Sequence, residues 1–241
     1  MGSSFCKETQ PENKIPLQSI GYSNNNQTQN IVPQQTQTHS DFEKNMLHMH
    51  NVLRQRNGLE PLVWDKALQQ KAADWNQFMA QEADGEAICR NMRHPGTGPN
   101  GTEEEVGKFL PNGNGQNLYQ SNAAKVINGQ PVPFDSSSPQ EAVRKWYDEC
   151  SIWKKPEPGQ QIPNRFLEVG HMTQLLWKDA RKVGCSRIGC RDTNKYRGKS
   201  IPSKGSIITC HYDRGNVGGQ FQDQIPDDIF CEVPNEWIHK E

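Results

Sequence analysis

Cysteine is the residue type whose number and spacing say most about the chemistry of this sequence. The 241 residues include seven cysteines. None of them forms a Cys-x-x-Cys pair, which disfavours a zinc ribbon. Cys6 lies near the N-terminus, whereas the other six lie between residues 89 and 231. An even set of cysteines within one domain favours disulfides if the protein matures in an oxidising compartment.

The N-terminal residues suggest a second kind of chemistry. The chain begins Met-Gly-Ser-Ser-Phe-Cys, which resembles an N-myristoylation signal at Gly2, except that Cys6 stands where Ser or Thr is usual. Cys6 could itself be palmitoylated, and two acyl chains hold a protein at a membrane much more stably than one. The alternative is an ordinary Met-Gly start with a free thiol. The first twenty residues contain no apolar segment, so we expect no signal peptide.

Two closely spaced histidines look at first like metal ligands. His48 and His50 are two positions apart, so they point to different faces of a helix and make a poor metal site. We expect His50, Asn51 and Arg54 to tie their helix to neighbouring elements instead. No glycine-rich phosphate loop follows a strand-like segment, which disfavours a nucleotide-binding fold.

Composition limits the classes of partner and the size of the core. The 27 Lys and Arg nearly balance the 28 Asp and Glu, for a net charge of −1, which argues against a general nucleic-acid binder. The sequence has no run of about 18 apolar residues, so it predicts no membrane-spanning helix. Residues 24–38 are mostly Asn, Gln and Thr. Because such a segment buries too little apolar surface to offset its ordering entropy, we expect residues 1–39 to be a disordered tail.

Three helices are predicted from their N-terminal signals. Ser40 and Glu43 read as a capping box, and apolar residues then recur at helical spacing. A second helix is predicted from Asp65, and a third from the segment Ser138–Glu141, which combines an N-cap, a proline at the first position and a capping-box glutamate.

Strand signals come late in the chain. Lys182–Ile188 and Ser206–Tyr212 have the composition of strands, and the basic segment Arg191–Lys204 between them is expected to be a hairpin connection. Residues 84–137 read as a long loop rich in Gly, Asn and Pro. Helices around late antiparallel strands predict a layered domain without βαβ units. We therefore expect a tail (1–39), one domain (40–225) and a C-terminal extension (226–241) that packs on the domain or trails it.

Several motifs occur in an order that matches a known family. They are His50-Asn51-x-x-Arg54, Gly115-Gln116-Asn117-Leu118, Trp146-Tyr147-Asp148-Glu149, Gly170-His171-Met172-Thr173-Gln174-Leu175-Leu176-Trp177, Val183-Gly184-Cys185 and Cys210-His211-Tyr212-Asp213-Arg214-Gly215-Asn216. This order resembles the CAP superfamily of cysteine-rich secretory proteins, venom allergens and plant pathogenesis-related proteins, over about residues 41–222. The resemblance implies an α+β fold: a three-layer α-β-α sandwich with a mainly antiparallel central sheet and a large open cleft.

The resemblance also implies a set of residues on the cleft floor. The family's two histidine positions fall on His94 and His171, and its two acidic positions fall on Glu149 and Gln116. Some members, venom allergens among them, also have Gln there. Two imidazoles and a carboxylate form a plausible Zn²⁺ site, with His94 and His171 as the metal ligands. Because Gln116 cannot act as a base, a hydrolytic mechanism that uses two carboxylates loses a partner.

The family pattern further implies disulfides that tie the late strands together and pin the long loop to the sheet, in the pairs Cys185–Cys210 and Cys89–Cys190. The pairing of Cys150 and Cys231 stays open. The family implies an extracellular location, whereas acylation at Gly2 and Cys6 implies attachment to a membrane from the cytosol, where disulfides are rare.

The expected function is therefore non-enzymatic. The resemblance implies that the cleft binds a small hydrophobic molecule, such as a sterol or fatty acid, or a partner protein, with Zn²⁺ or another divalent cation as a possible cofactor. The alternative is a metal-dependent hydrolase or protease that uses Glu149 as general base.

Overall fold

The computed structural model describes residues 40–83, 85, 87–121, 123–127, 130–134, 138–157, 166–196, 199–234 and 237. The predicted tail, with Gly2 and Cys6, lies outside the described residues. In the described part the helices are α1 (Asp41–Arg56), α2 (Lys66–Gln81), α3 (Glu103–Phe109), α4 (Pro139–Tyr147), α5 (Phe166–Leu175) and α6 (Phe221–Gln224). The strands are β1 (Val63–Trp64), β2 (Ala87–Ile88), β3 (Gly115–Ser121), β4 (Ala123–Ile127), β5 (Gln130–Phe134), β6 (Lys182–Tyr196) and β7 (Lys199–Tyr212). None of the described helices is both long and apolar enough to cross a membrane.

The three helices predicted from capping signals begin where the sequence places them. The Ser40 side chain accepts a hydrogen bond from the backbone N–H of Glu43, and Ser138 does the same for Glu141. Asp65 caps α2 through two backbone N–H groups. Each cap satisfies donors that the first turn of a helix leaves unpaired, so local sequence alone determines these starts.

The main sheet has the strand order β1-β6-β7-β3, and β2 also pairs with β6. The long strands β6, β7 and β3 are antiparallel neighbours, which confirms a mainly antiparallel sheet. The two-residue strands β1 and β2 run parallel to β6. They lie along the same edge of β6, joined by α2, and the sheet is therefore mixed.

Helices cover both faces of this sheet. On one face, Ile208, Cys210 and Tyr212 of β7 pack in the cluster that contains the buried residues of α1, α4 and α5. On the other face, Ile207 packs with Trp75 of α2 in a second cluster. Successive residues of a strand point to opposite faces, so β7 contributes to both cores. This arrangement is the expected α-β-α sandwich.

Two predictions about loops are wrong. Residues 84–137 contain α3, β3, β4 and β5. The sequence did not predict β3 because polar side chains such as Gln116 and Asn117 interrupt the apolar pattern typical of a strand. Arg191–Lys204 is mostly strand: the ladder of β6 and β7 continues to the pair Tyr196 and Lys199. A ladder is formed by backbone groups, so polar side chains do not end it.

Three disulfides fasten the domain: Cys89–Cys190, Cys185–Cys210 and Cys150–Cys231. The first two have the pairing that the resemblance implies, and the third is the pair that the sequence leaves open. The third disulfide holds the segment after residue 225 against the end of α4. There the Phe230 N–H also donates to Asn57 Oδ1 at 3.0 Å, and the Phe230 carbonyl accepts from the Tyr147 hydroxyl.

Arg54 of α1 is fully buried and fixes the turn that follows α5. Its guanidinium donates to the carbonyl oxygens of Leu175, Trp177 and Ala180 at 2.9–3.0 Å. Burial, followed by the nearby positive charge of Arg181, lowers the pKa of Arg54 to about 10. This confirms that Arg54 ties helix one to its neighbours, and the helix that it fixes carries His171.

Candidate functional site

A cavity of about 380 Å³ opens where β3 begins, between the N-terminal end of that strand, α5, the segment around His94 and the turn after β7. His94, Gln116 and His171 all line it. Glu149 is absent from the lining and instead contacts His171 from the protein side. The structure therefore places His94, Gln116 and His171 on one cavity, with Glu149 bonded to His171 behind it.

Close backbone contacts shape the cavity wall. A Cβ atom built on Gly115 would lie 2.8 Å from the Cα of Gly215 and 2.0 Å from the side-chain oxygen of Gln174. The start of β3 and the turn after β7 can therefore approach this closely only because both positions are glycine. Gln174 of α5 then holds the turn, because its Nε2 donates to the Arg214 carbonyl at 2.8 Å and its oxygen accepts from the Asn216 N–H at 3.2 Å.

His171 is held by Glu149. Oε1 of the carboxylate accepts from His171 Nδ1 at 2.6 Å, while Oε2 accepts from the backbone N–H groups of His171 and Met172 at 2.9 and 3.0 Å. Trp146 stacks on the imidazole with ring centroids 6.3 Å apart and an interplanar angle of 14°. Ring position and ring rotation are both fixed by these contacts.

His94 is held by Gln116. The amide oxygen of Gln116 accepts from His94 Nδ1 at 2.7 Å, and its Nε2 donates to His211 Nε2 at 2.7 Å. Burial, with a smaller effect from the charge of His171, lowers the pKa of His94 below its ordinary value. Burial also lowers the pKa of His211, to about 3. These two imidazoles are therefore neutral near pH 7.

A buried network supports the floor from behind. His50 Nε2 pairs with the Tyr212 hydroxyl at 2.8 Å, and Asn117 Nδ2 donates to the same hydroxyl at 3.3 Å and to the His171 carbonyl at 3.1 Å. Burial raises the pKa of Tyr212 well above its ordinary value. His50 therefore has a structural role, as the sequence predicts. Through Tyr212 and Asn117, its hydrogen bonds link α1 to the backbone at His171.

The two cleft histidines are the side chains that could bind a divalent metal ion. In the part of the chain that the structure describes, His94 and His171 each use Nδ1 for a hydrogen bond, and neither Nε2 has a protein partner. That arrangement is typical of imidazole ligands, whose second nitrogen is oriented by a neighbouring oxygen. No cluster of three or more His, Cys, Asp or Glu side chains among the described residues is placed to hold a metal. Among the described residues, the cavity thus has two imidazoles on its lining and no third side chain of these types placed beside them for a metal.

Sequence reasoning missed two residues of the site. His211 lies within a recognised motif but gains its role only from the register in which Gln116 pairs with it across β3 and β7. Asn117 follows Gln116 and faces the opposite side of the sheet, toward Tyr212 and His171. The available signal was a pair of polar residues at the start of a strand, which is visible only once β3 is recognised.

Comparison with known proteins agrees with this architecture. The family model described as "Cysteine-rich secretory protein family" matches residues 47–212. Pathogenesis-related protein 1A1 of Solanum lycopersicum is 30% identical over 198 residues, which cover 80% of this chain and 86% of that protein. Venom allergen 3 of Solenopsis invicta is 27% identical over 202 residues, which cover 75% of this chain and 71% of that protein.

Among solved structures, venom allergen-like protein 4 of Schistosoma mansoni matches with a TM-score of 0.42 at 15% identity, covering 80% of this chain and 97% of that one. The family match spans most of the region from α1 to the end of β7. On the strength of that match and of the tomato relative, this chain belongs to the cysteine-rich secretory protein (CAP) family.

Proposed function

We propose that the cleft binds a small, mainly apolar molecule that carries one polar group, and that the protein performs no catalysis on it. The cavity of about 380 Å³ falls within the range of small-molecule sites, about 300–1,000 Å³. Leu110, Val217 and four glycines contribute apolar surface to its wall, and the other eight of its fourteen lining residues, His94 and His171 among them, have polar side chains. A sterol, with a rigid apolar body and one hydroxyl, has this chemistry.

The commitment of the Glu149 carboxylate carries the non-enzymatic part of the proposal. Both of its oxygens accept hydrogen bonds from His171 and Met172. These bonds leave a lone pair on Oε1, but Glu149 does not line the cavity, and a general base must lie within reach of the proton that it abstracts. Gln116 occupies the other acidic position and cannot be a base. The alternative of a metal-dependent hydrolase that uses Glu149 is therefore disfavoured.

A divalent metal ion is a second candidate ligand, favoured by two cavity-lining imidazoles whose Nε2 atoms have no hydrogen-bond partner among the described residues. His94 and His171 would hold the ion, and Glu149 would orient His171 as a carboxylate partner. When bound, such an ion supplies a positive charge that attracts an anionic or hydroxyl group. Zn²⁺ suits imidazole ligands, and its binding weakens as the histidines are protonated.

Titration calorimetry with cholesterol, oleate and Zn²⁺ tests these proposals directly. The matched variants are His94→Ala, His171→Ala and His48→Ala, the last because His48 is an exposed histidine outside the cleft. We expect cholesterol to bind the wild type and His48→Ala equally and the cleft variants more weakly. If the wild-type protein binds neither cholesterol nor oleate, the lipid proposal is wrong. If it does not bind Zn²⁺, the metal proposal is wrong.

For location, we propose that the protein acts outside the cytosol, as an extracellular member of its family. Three disulfides support this, because such bonds persist in oxidising compartments. Acylation of Gly2 and Cys6 is the competing proposal, since it requires an N-terminus exposed to the cytosol. An intact-protein mass with and without reductant separates the two: added acyl mass supports membrane attachment, and a gain of hydrogens on reduction supports the oxidised form.

A further inference from the structure

A glycosylation motif lies in the turn that precedes α3. The sequence contains two Asn-x-Thr triplets, Asn26-Gln27-Thr28 and Asn100-Gly101-Thr102. Such a triplet accepts an N-linked glycan in a secreted protein when its middle residue is not proline. The first triplet lies outside the described residues. The second lies in a described turn, and the surroundings of its asparagine determine whether a glycan fits there.

Asn100 is exposed, and within the part of the chain that the structure describes its side chain makes no hydrogen bond. Asn57 and Asn117 use their amides in the opposite way, since both are buried and donate to neighbouring oxygens. A glycan attached to Asn100 would therefore displace no packed side chain and break no hydrogen bond among the described residues.

The backbone around Asn100 is closely packed. A Cβ atom built on Gly101 would lie 2.4 Å from the carbonyl carbon of Gly96, so proline or any other larger residue at position 101 would displace the turn. The Gly96 N–H donates to Glu105 Oε2 at 2.9 Å, and Arg93 bonds both oxygens of the same carboxylate. These contacts hold the turn in place while the Asn100 side chain stays exposed. They also require glycine at a position where the glycosylation motif excludes proline.

The turn separates the cleft from a second cavity. Thr97 lines the cleft cavity. Asn100, slightly further along the same turn, lines a different cavity of about 400 Å³ that also includes Met92. A glycan on Asn100 would therefore begin beside the second cavity and leave the mouth of the cleft open.

We propose that Asn100 carries an N-linked glycan, which shields the second cavity and leaves the ligand cleft accessible. The donor is an oligosaccharide linked to a polyisoprenyl pyrophosphate. Nδ2 of Asn100 attacks C1 of the first sugar, so that the Nδ2–C1 bond forms and the bond from C1 to the pyrophosphate oxygen breaks. The lipid pyrophosphate leaves, and the amide nitrogen loses one proton. The proposed glycan depends on the proposed extracellular location, because the motif is modified in secreted proteins.

The first test is peptide mapping of the protein isolated from its own source. Peptides are compared before and after removal of N-glycans by a glycosidase in H₂¹⁸O, which converts a glycosylated asparagine into an ¹⁸O-labelled aspartate. We expect a glycan mass on the Asn100 peptide before the treatment and the label after it. Asn112-Gly113 is the internal control, because this Asn-Gly pair can deamidate spontaneously but lies outside any glycosylation motif. Label at both sites without a glycan mass would mean spontaneous deamidation and would refute the proposal.

The oxidation state of the cysteines in the same sample separates the glycan from the location. Disulfide-bonded protein with an unmodified Asn100 would overturn the glycan and leave the extracellular proposal standing. Reduced cysteines together with an unmodified Asn100 would overturn both proposals.

Variants of Thr102 separate the motif from the fold. The Thr102 side chain caps α3 by accepting from the Glu105 N–H at 3.2 Å. Serine keeps both the cap and the motif, whereas aspartate keeps the cap and removes the motif. In the full chain expressed in cells of its source, we expect a glycan at Asn100 in the wild type and Thr102→Ser and none there in Thr102→Asp. Equal modification of Asn100 in the two variants, whether present or absent, would contradict the proposal.

Hydroxyl-radical footprinting locates the glycan relative to the two cavities. After the glycan is removed, we expect oxidation to rise at Met92, in the second cavity, and to stay unchanged at Val217, an exposed residue of the cleft. A rise at Val217, or no rise at Met92, would overturn the proposed position of the glycan.

Discussion

Glu149 holds His171 by its ring and by its backbone at once: one carboxylate oxygen lies 2.6 Å from Nδ1 and the other lies 2.9 Å from the backbone nitrogen. A side chain that fixes both the position and the rotation of an imidazole prepares it for one ligand geometry. The same contacts engage both oxygens of the carboxylate. The floor of the cleft is thus held rigidly, and Glu149 lies behind His171 rather than on the cavity lining.

Glu149→Gln tests this anchoring. An amide nitrogen in place of one oxygen would face an N–H or Nδ1–H donor, so we expect a stability loss of about 1–3 kcal/mol and about tenfold weaker Zn²⁺ binding. Urea unfolding and Zn²⁺ titration measure the two effects. Asp148→Asn is the control, because this neighbour makes one exposed ion pair with Arg144 at 3.4 Å, a contact of small energy. Equal effects in the two variants would contradict the account.

Arg54→Met tests the clamp on the turn after α5. It leaves the carbonyls of Leu175, Trp177 and Ala180 without their buried donors. We expect a loss of about 3 kcal/mol in the free energy of unfolding, measured with denaturant. Arg56→Met, on the exposed side of the same helix, should change it by less than about 0.5 kcal/mol. A small loss for Arg54→Met would show that water replaces the guanidinium.

Acid should weaken the fold through His50. Burial, opposed by the backbone hydrogen bond to Met46, lowers its pKa from 6.5 to about 4. The unfolded chain gains this proton as pH falls below 6.5, whereas the folded chain resists until about 4. The contribution of His50 to stability should therefore be full above pH 6.5 and fall by roughly 3 kcal/mol toward pH 4.

Urea midpoints across this pH range measure the effect. We expect His50→Gln to reduce the dependence of the unfolding free energy on pH by the contribution of His50. His48→Gln, which changes an exposed histidine, should leave this dependence unchanged. A slope that persists in full without His50 would assign it to other groups.

The disulfide Cys150–Cys231 should stabilise the fold because it closes a long loop of the chain. The two residues are 81 positions apart, and the chain-entropy model gives about 4–5 kcal/mol for a loop of this length. We expect Cys150→Ser/Cys231→Ser to lose much of that, and to weaken the backbone hydrogen bonds that Phe230 makes with Asn57 and Tyr147. Cys185–Cys210 closes 25 residues, so its removal should cost less. The reverse order of stabilities would count against the loop argument.

Sequence alone predicted the helix starts, because Ser40, Asp65 and Ser138 satisfy neighbouring backbone donors. Motif order predicted the family and placed His94, Gln116 and His171 at one site, since these residues lie in recognisable segments. It could not predict β3, whose residues Gln116 and Asn117 are polar although the strand lies in the sheet.

The contact between His211 and Gln116 could not be predicted from the sequence either. That contact depends on the pairing of β3 with β7, which joins residues 95 positions apart. The Cys150–Cys231 pairing likewise depends on where the segment after α6 lies. Long-range register is set by the packing of the whole domain, and a local pattern does not encode it.

The most direct test of the central claim is photo-crosslinking with a sterol that carries a diazirine, followed by peptide mapping. The proposed function predicts labelled residues on the cavity wall, at Leu110, His171 and Val217, with labelling lost when excess cholesterol competes. Labelling concentrated elsewhere, for example in the cavity beside Cys150 and Phe230, or labelling that cholesterol does not displace, would contradict the claim that this cleft is the ligand site.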